Sequence, residues 1–161
     1  MVKFYLKISA ELDNVTELEP LDTPQEPHYY TFKIECTKCR TVHDKDVQIN
    51  RFEKHEMGGS RGEANFVFRC KECKNEHNAS IERTNAKLEN GDSKPVAILE
   101  IDARGLDFVE FIPDGKFQAK GVETGTVFDE VDLEDSEWYD VDEKTNEEVS
   151  ITDVKWTISR S

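Results

Sequence analysis

Two short cysteine motifs carry the clearest chemistry in this sequence. Cys36-x-x-Cys39 and Cys70-x-x-Cys73 contain all four cysteines of the chain, with residues 40–69 between them. Each C-x-x-C turn supplies two thiolates, and two such turns brought together supply the four sulfurs that Zn²⁺ takes in a closed tetrahedral site. The spacing therefore predicts one structural zinc ion per chain, bound by Cys36, Cys39, Cys70 and Cys73.

The alternatives for these cysteines are two disulfides, reduced core residues or a redox-active C-x-x-C. The N-terminal residues Val2–Leu12 alternate in the manner of a strand, unlike the apolar core of a secretory signal. No run approaches the roughly 18 apolar residues of a membrane span. We therefore expect a cytoplasmic or nuclear protein without membrane association, in which thiols stay reduced and metal is favoured over disulfide. A redox motif usually accompanies a βαβ unit, which the sequence does not indicate.

Each cysteine motif is followed by a histidine, so that both read C-x-x-C-x-x-x-H and end at His43 and His77. Either histidine is a conceivable substitute for a cysteine ligand. The other interpretation is that both begin outgoing strands and donate to a sulfur or a carbonyl. A closed four-sulfur site has no open position at which to activate water. The letters Gly-x-Ser-x-Gly occur at Gly58–Gly62, but the sequence indicates no strand-loop-helix unit around them, which a nucleophile turn requires. We therefore expect no enzymatic activity, with an uncharacterised enzyme as a remaining alternative.

Charge is distributed unevenly along the chain. The formal net charge is −14, yet residues 33–74 carry +3 while residues 123–148 carry −11. We expect the acidic segment to face a basic protein partner, which makes the chain a protein-interaction module. The alternative is a solvated loop that contributes only solubility. Trp138, beside Tyr139 in this segment, is either an exposed anchor for the partner or part of the core.

A second possible function is a nucleic-acid-associated or ribosome-associated zinc ribbon. The basic residues that would contact phosphates are Lys38, Arg40, Arg51, Lys54, Arg61, Lys71 and Lys74. The negative overall charge opposes phosphate binding, and no aromatic-rich basic stripe lies between the cysteine motifs. Nucleic acid is therefore the less favoured partner.

Alternating apolar residues predict an all-β fold. The clearest β-rich runs are Val2–Leu12, Tyr30–Cys36, Asn65–Cys70, Val96–Ala103, Asp107–Ile112 and Val154–Ile158. Residues 8–20 resemble residues 101–113 at a shift of 93 positions, which indicates an internal duplication. We therefore predict two pseudo-symmetric halves, each resembling a β-sandwich or barrel. The first half, residues 1–95, carries a zinc-ribbon-like hairpin pair with knuckles at 36–39 and 70–73, and the second half is residues 96–161.

Two glycine-containing segments have open interpretations. Gly58–Gly62 lacks the Gly-Lys-Ser/Thr ending of a P-loop, so we interpret it as a hairpin tip, with an anion-binding nest as the alternative. Gly121–Thr126 is either a turn between strands or an exposed recognition loop.

Several motifs together resemble the eukaryotic family of CXXC-motif-containing zinc-binding proteins. They span nearly the whole chain: Leu12-Asp13-Asn14-Val15-Thr16, both cysteine pairs, Gly58–Gly62, Arg104-Gly105-Leu106, Pro113–Phe117, Gly121–Phe128 and Trp138. The resemblance implies an all-β protein of two pseudo-symmetric halves, with one structural zinc on the four cysteines. It implies no particular reaction.

Overall fold

Every helix or strand in the described part of the chain is a β-strand, which confirms the predicted all-β class. A computed structural model describes residues 2–58 and 62–160, and these ranges contain no helix, hence none capable of crossing a bilayer. The strands are β1 (Val2–Asp13), β2 (Val15–Pro20), β3 (Tyr29–Cys36), β4 (Val47–Asn50), β5 (His55–Glu56), β6 (Glu63–Ala64), β7 (Phe66–Arg69), β8 (Glu76–Arg83), β9 (Val96–Arg104), β10 (Leu106–Ile112), β11 (Lys116–Gly121), β12 (Val127–Asp132), β13 (Trp138–Asp142) and β14 (Glu147–Arg160).

The strands form one large sheet and three smaller ones. The large sheet has six strands in the order β13-β14-β1-β9-β8-β7, and two three-stranded sheets have the orders β10-β3-β4 and β12-β11-β2. The fourth sheet is the hairpin of β5 and β6, in which the Met57 N–H donates to the Gly62 carbonyl oxygen. This hairpin flanks the predicted glycine tip, of which Gly59, Ser60 and Arg61 lie outside the described residues.

An approximate two-fold symmetry relates the strands. β1 corresponds to β9 at the centre of the large sheet, β14 to β8 on either side, and β13 to β7 at the edges. In the small sheets β2 corresponds to β10, β3 to β11 and β4 to β12. The β5–β6 hairpin has no counterpart among the described strands of the second repeat and is therefore an insertion in the first. The halves also exchange strands, because β2 pairs with β11 and β10 pairs with β3. The division at residues 95 and 96 stays a prediction.

The duplication has a different register from the predicted one. Each central strand ends at one residue with positive φ, Asn14 (61°) and Gly105 (82°), before the chain leaves the large sheet. The Asn14 carbonyl accepts from the N–H of Val122, and the Gly105 carbonyl accepts from the N–H of Thr37, both at 3.0 Å. These equivalent turns are 91 positions apart, so the shift of 93 is wrong here. A shift of two residues preserves which face each strand residue occupies, so strand pattern alone cannot detect the error.

The hydrophobic core lies between the sheets and is continuous across both halves. Phe4, Leu6 and Ile8 alternate inward along β1, as the sequence pattern predicts. Aromatic rings from both repeats contact one another in succession: Phe4, Phe108, Phe32, Phe111, Trp156, Phe117 and His28. Because rings from β3 of the first repeat pack on rings from β10 of the second, the two repeats share one core.

Gly105 occupies a position that only glycine fits. Its φ of 82° lies in the left-handed region, and a Cβ built there would lie 2.1 Å from Nδ1 of His77. Gly91 has a similar φ of 93° but no heavy atom within 4 Å of the corresponding Cβ position. The two glycines therefore separate the cost of backbone strain from the cost of displacing His77.

We expect Gly105→Ala to be much more destabilising than Gly91→Ala. A left-handed alanine costs about 1 kcal/mol at either site, and displacing the buried imidazole adds about 1–3 kcal/mol at residue 105 alone. Denaturant unfolding of both variants measures the difference. Equal losses of unfolding free energy would show that His77 moves aside without cost.

Candidate metal centre

Two tight turns bring the cysteines to one place. The first turn follows β3 and begins at Cys36, whose carbonyl oxygen accepts from the Arg40 N–H at 2.8 Å. The second follows β7 and begins at Cys70, whose carbonyl accepts from the Lys74 N–H at 3.0 Å. Arg40 (φ 61°) and Lys74 (φ 63°) are both left-handed, so the chain reverses after each cysteine pair. Because β3 belongs to a small sheet and β7 to the large one, the cluster joins two sheets.

The four sulfurs have the spacing of a tetrahedral metal site. All lie within 4.8 Å of one another, and the Sγ atoms of Cys36 and Cys73, like those of Cys39 and Cys70, are 3.6 Å apart. Zn–S bonds of about 2.3 Å place the sulfurs of a regular tetrahedron about 3.8 Å apart. A disulfide requires about 2.05 Å, and all four cysteines are free. The donor set and its spacing therefore fit zinc.

Backbone amides and burial give the thiols different acidities. The amide of Asn75 is the main cause that lowers the pKa of Cys73, to about 6. The hydroxyl and the amide of Thr41 lower the pKa of Cys39, whose Sγ lies 3.3 Å from the Thr41 Oγ1. Burial raises the pKa of Cys36 to about 11. Zinc binding requires thiolates, so binding at Cys36 would release its thiol proton to solvent.

The two histidines differ in their relation to the sulfurs. His77 is buried (2% exposed), and its Nε2 lies 3.1 Å from Sγ of Cys36, within hydrogen-bond range. The His43 ring packs edge-on against Phe68, with centroids 4.8 Å apart. Both therefore lie beside the cluster, and the interpretation of His77 as a donor to sulfur fits the geometry. No sequence motif indicates that Gly105, which has no Cβ, leaves room for the His77 ring.

The basic residues proposed for phosphate binding are partly neutralised. Three of them form ion pairs, as follows: Arg40 with Glu35 and Asp107, Arg51 with Asp22, and Lys71 with Asp44. Arg61 lies outside the described residues. The Arg51 side chain donates to the carboxylate of Asp22, which is buried and also accepts from the Tyr30 hydroxyl. This ion pair therefore fixes the position of the Arg51 guanidinium.

The acidic segment, residues 123–148, forms strands β12 and β13, the start of β14 and the turns between them. Trp138 packs edge-on against Phe128, with centroids 5.4 Å apart, and contacts the core, as the core interpretation predicts. Tyr139 points outward and is 63% exposed. Gly121–Thr126 is a turn that joins β11 to β12.

Several relatives align with nearly the whole of this chain, and some carry names that mention zinc. A sequence model of the family described as "CXXC motif containing zinc binding protein, eukaryotic" matches residues 5–159. A UPF0587 protein of Schizosaccharomyces pombe is 43% identical over the whole of both chains. The human CXXC motif containing zinc binding protein is 35% identical over 96% of each chain.

Solved structures show the same architecture. The crystal structure of C1orf123 matches with a TM-score of 0.85 and 32% identity, over 99% of each chain. A hypothetical protein from Plasmodium falciparum also matches with a TM-score of 0.85, over 99% of this chain and 100% of its own. Its sequence identity is 22%, so this match shows a shared fold and nothing further. The sequence match and the four clustered sulfurs lead to one conclusion: this chain belongs to the eukaryotic family of CXXC-motif-containing zinc-binding proteins.

Proposed function

We propose that this protein is an intracellular zinc-binding module, which holds one structural zinc on Cys36, Cys39, Cys70 and Cys73 and binds a basic partner protein through its acidic side. The observation that carries the zinc part is the closed cluster of four sulfurs. Four protein ligands complete the tetrahedron, so water and substrate have no coordination position. In this proposal the zinc stabilises the fold, and the protein acts by binding and not by catalysis.

The position of the cluster supports a structural role. It links the turn after β3 with the turn between β7 and β8, and β7 is an edge strand with only four residues. Phe66 and Phe68 on β7 are only partly buried, so hydrophobic packing there is limited. A metal cross-link supplies stabilisation that this edge lacks.

We expect one zinc ion per chain and four masked thiols. Protein purified under reducing conditions without chelator is analysed for metal, and its thiols are titrated before and after chelation. Thiolates bound to zinc react slowly, so all four thiols become reactive only after chelation. Cys70→Ser is the control and loses most of its zinc. Metal-free protein with four reactive thiols contradicts the proposal.

Zinc removal is expected to loosen the metal end before the rest of the fold. Structural zinc contributes on the order of 10 kcal/mol in small peptides, and less here because paired strands persist without it. Hydrogen exchange should accelerate first at residues 36–43 and 66–77, while β11 to β14 keep their protection. If hydrogen-exchange protection falls equally across residues 2–160, zinc stabilises the whole fold and this prediction is wrong.

The edge strand β13 provides the features of a partner-binding surface. Tyr139 and Val141 are two residues apart on this strand and are 63% and 45% exposed. Residues 123–148, which include β13, carry a net charge of −11. An exposed edge accepts an added strand, and a Lys- or Arg-rich extended segment complements this charge. The expected occupant is therefore a basic, extended segment of a partner protein.

Tyr139→Ser is expected to weaken partner binding at least tenfold, because a large aromatic side chain supplies much of the apolar contact at an interface. The matched control is Tyr29→Ser, since Tyr29 is also exposed (45%) but lies on β3. Binding is measured by amide chemical-shift changes during titration with a peptide that alternates Lys and Val. A second peptide, with Glu in place of Lys, tests the charge requirement.

Neutralising Asp129, Glu130, Asp132, Glu134 and Asp135 should weaken the same binding and reduce its dependence on salt. If Tyr139→Ser and the neutralised variant bind the Lys–Val peptide as wild type does, or if shifts appear away from β13, the surface has been assigned wrongly. The zinc part of the proposal is unaffected by that outcome.

A further inference from the structure

The second repeat has its own pair of turns at the positions that correspond to the cysteine motifs. Residues 121–126 join β11 to β12, and residues 142–147 join β13 to β14. Their counterparts 36–41 and 70–75 follow β3 and β7, the strands related to β11 and β13 by the two-fold symmetry. The four cysteines are in the first repeat only.

The backbone of the first turn is the same in both repeats. The N–H of the first residue donates to the sixth carbonyl, and the N–H of the fifth donates to the first carbonyl. These distances are 3.0 and 2.8 Å in residues 36–41, and 2.9 and 3.0 Å in residues 121–126. The fifth residue is left-handed in both, with φ of 61° at Arg40 and 70° at Gly125.

The second turn matches as well. The Asn146 N–H donates to the Asp142 carbonyl at 2.7 Å, as the Lys74 N–H donates to the Cys70 carbonyl at 3.0 Å. Asn146 (φ 60°) and Lys74 (φ 63°) are both left-handed. The positions that correspond to Cys36, Cys39, Cys70 and Cys73 are therefore Gly121, Thr124, Asp142 and Thr145.

Hydrogen bonds to the carboxylate of Asp142 connect the two turns of the second repeat. Asp142 is buried (4% exposed), and its Oδ2 accepts from the Thr124 hydroxyl at 2.5 Å. Its Oδ1 accepts from the Thr126 hydroxyl at 3.0 Å and from the Lys144 N–H at 3.1 Å. Donation by Thr124 is the main cause that lowers the pKa of Asp142, so the carboxylate is ionised at neutral pH.

The hydroxyl oxygens of Thr124 and Thr145 accept hydrogen bonds from the backbone two residues further along the chain. The Thr126 N–H donates to Oγ1 of Thr124 at 3.1 Å, and the Glu147 N–H donates to Oγ1 of Thr145 at 3.3 Å. In the first pair, Sγ of Cys39 lies 3.3 Å from Oγ1 of Thr41, as Oγ1 of Thr124 lies 2.8 Å from Oγ1 of Thr126.

Gly121, the position that corresponds to Cys36, lies against the same side chains. A Cβ built on Gly121 would lie 2.5 Å from Oγ1 of Thr124 and 2.8 Å from Oδ2 of Asp142. Thr124, Asp142 and Thr145 also line one cleft of about 210 Å³. The side-chain directions of all four positions therefore converge, as those of the four cysteines do.

We propose that these turns form a metal-free counterpart of the cysteine cluster, in which the buried carboxylate of Asp142 takes the place of the metal ion. The carboxylate and its hydroxyl donors cross-link a small sheet to the large sheet, as the sulfur cluster does at the other end. The same backbone also constitutes a latent tetrahedral site, which lacks only its thiolates.

The first test removes the carboxylate. In Asp142→Ala, Thr124 and Thr126 lose their acceptor, so hydrogen exchange at residues 121–126 and 142–147 should accelerate about 10- to 100-fold, the equivalent of one or two charged hydrogen bonds. Residues 36–41 and 70–75 should keep their rates. The control is Asp140→Ala, an exposed aspartate on the same strand. Exchange no faster than in this control overturns the proposal.

The second test builds the latent site. Wild type and the variant that combines Gly121→Cys, Thr124→Cys, Asp142→Cys and Thr145→Cys are freed of bound metal by chelation. Both are then titrated with Co²⁺ under reducing conditions, and the absorption of tetrahedral cobalt thiolate is measured. We expect one more cobalt ion per chain than in wild type. A folded variant that binds no additional cobalt overturns the geometric equivalence. If the variant does not fold, the exchange comparison of Asp142→Ala with Asp140→Ala decides.

Failure of this inference is distinguishable from failure of the proposed function. A wild-type chain that binds no cobalt contradicts the proposed zinc role, whatever the variant does. A wild type that binds one ion, with a variant that also binds one, supports the zinc role and contradicts the counterpart.

Discussion

The antiparallel pairing of β1 with β9 is the contact on which the rest of this structure depends. It forms the centre of the large sheet, and each strand ends at a single left-handed residue, Asn14 or Gly105. From there the chain passes into the small sheet of the opposite repeat, as β2 beside β11 or as β10 beside β3. Each small sheet therefore contains strands from both repeats, and the two repeats stabilise each other through one core.

This exchange creates two corners where sheets must be held together. At one corner the Gly105 carbonyl accepts from the turn of Cys36, and at the other the Asn14 carbonyl accepts from the turn of Gly121. Each corner links a small sheet to the edge hairpin of the large one. Four clustered sulfurs lie at one corner, and hydrogen bonds to the Asp142 carboxylate lie at the other, so polar groups have a defined geometry at both.

The two corners differ in electrostatic character. Residues 33–74 around the cysteines carry a net charge of +3, which offsets the −2 charge of a zinc ion with four thiolates. Residues 123–148 around Asp142 carry −11. Segments of opposite net charge create an electrostatic field that weakens as salt rises.

The sequence by itself determined the fold class and the metal chemistry. Alternation placed Phe4, Leu6 and Ile8 inward on β1, and the two C-x-x-C spacings identified the four sulfurs that the structure brings together. These features are local, so a short window of residues contains them. The tertiary structure decided the exchange of strands, the 91-residue register and the contact of His77 with both Gly105 and Cys36. It also decided that Asp142 meets Thr124 and Thr126. These pairings join residues far apart in the chain, and a period of two leaves the register between strands undetermined, so only the packed sheets fix them.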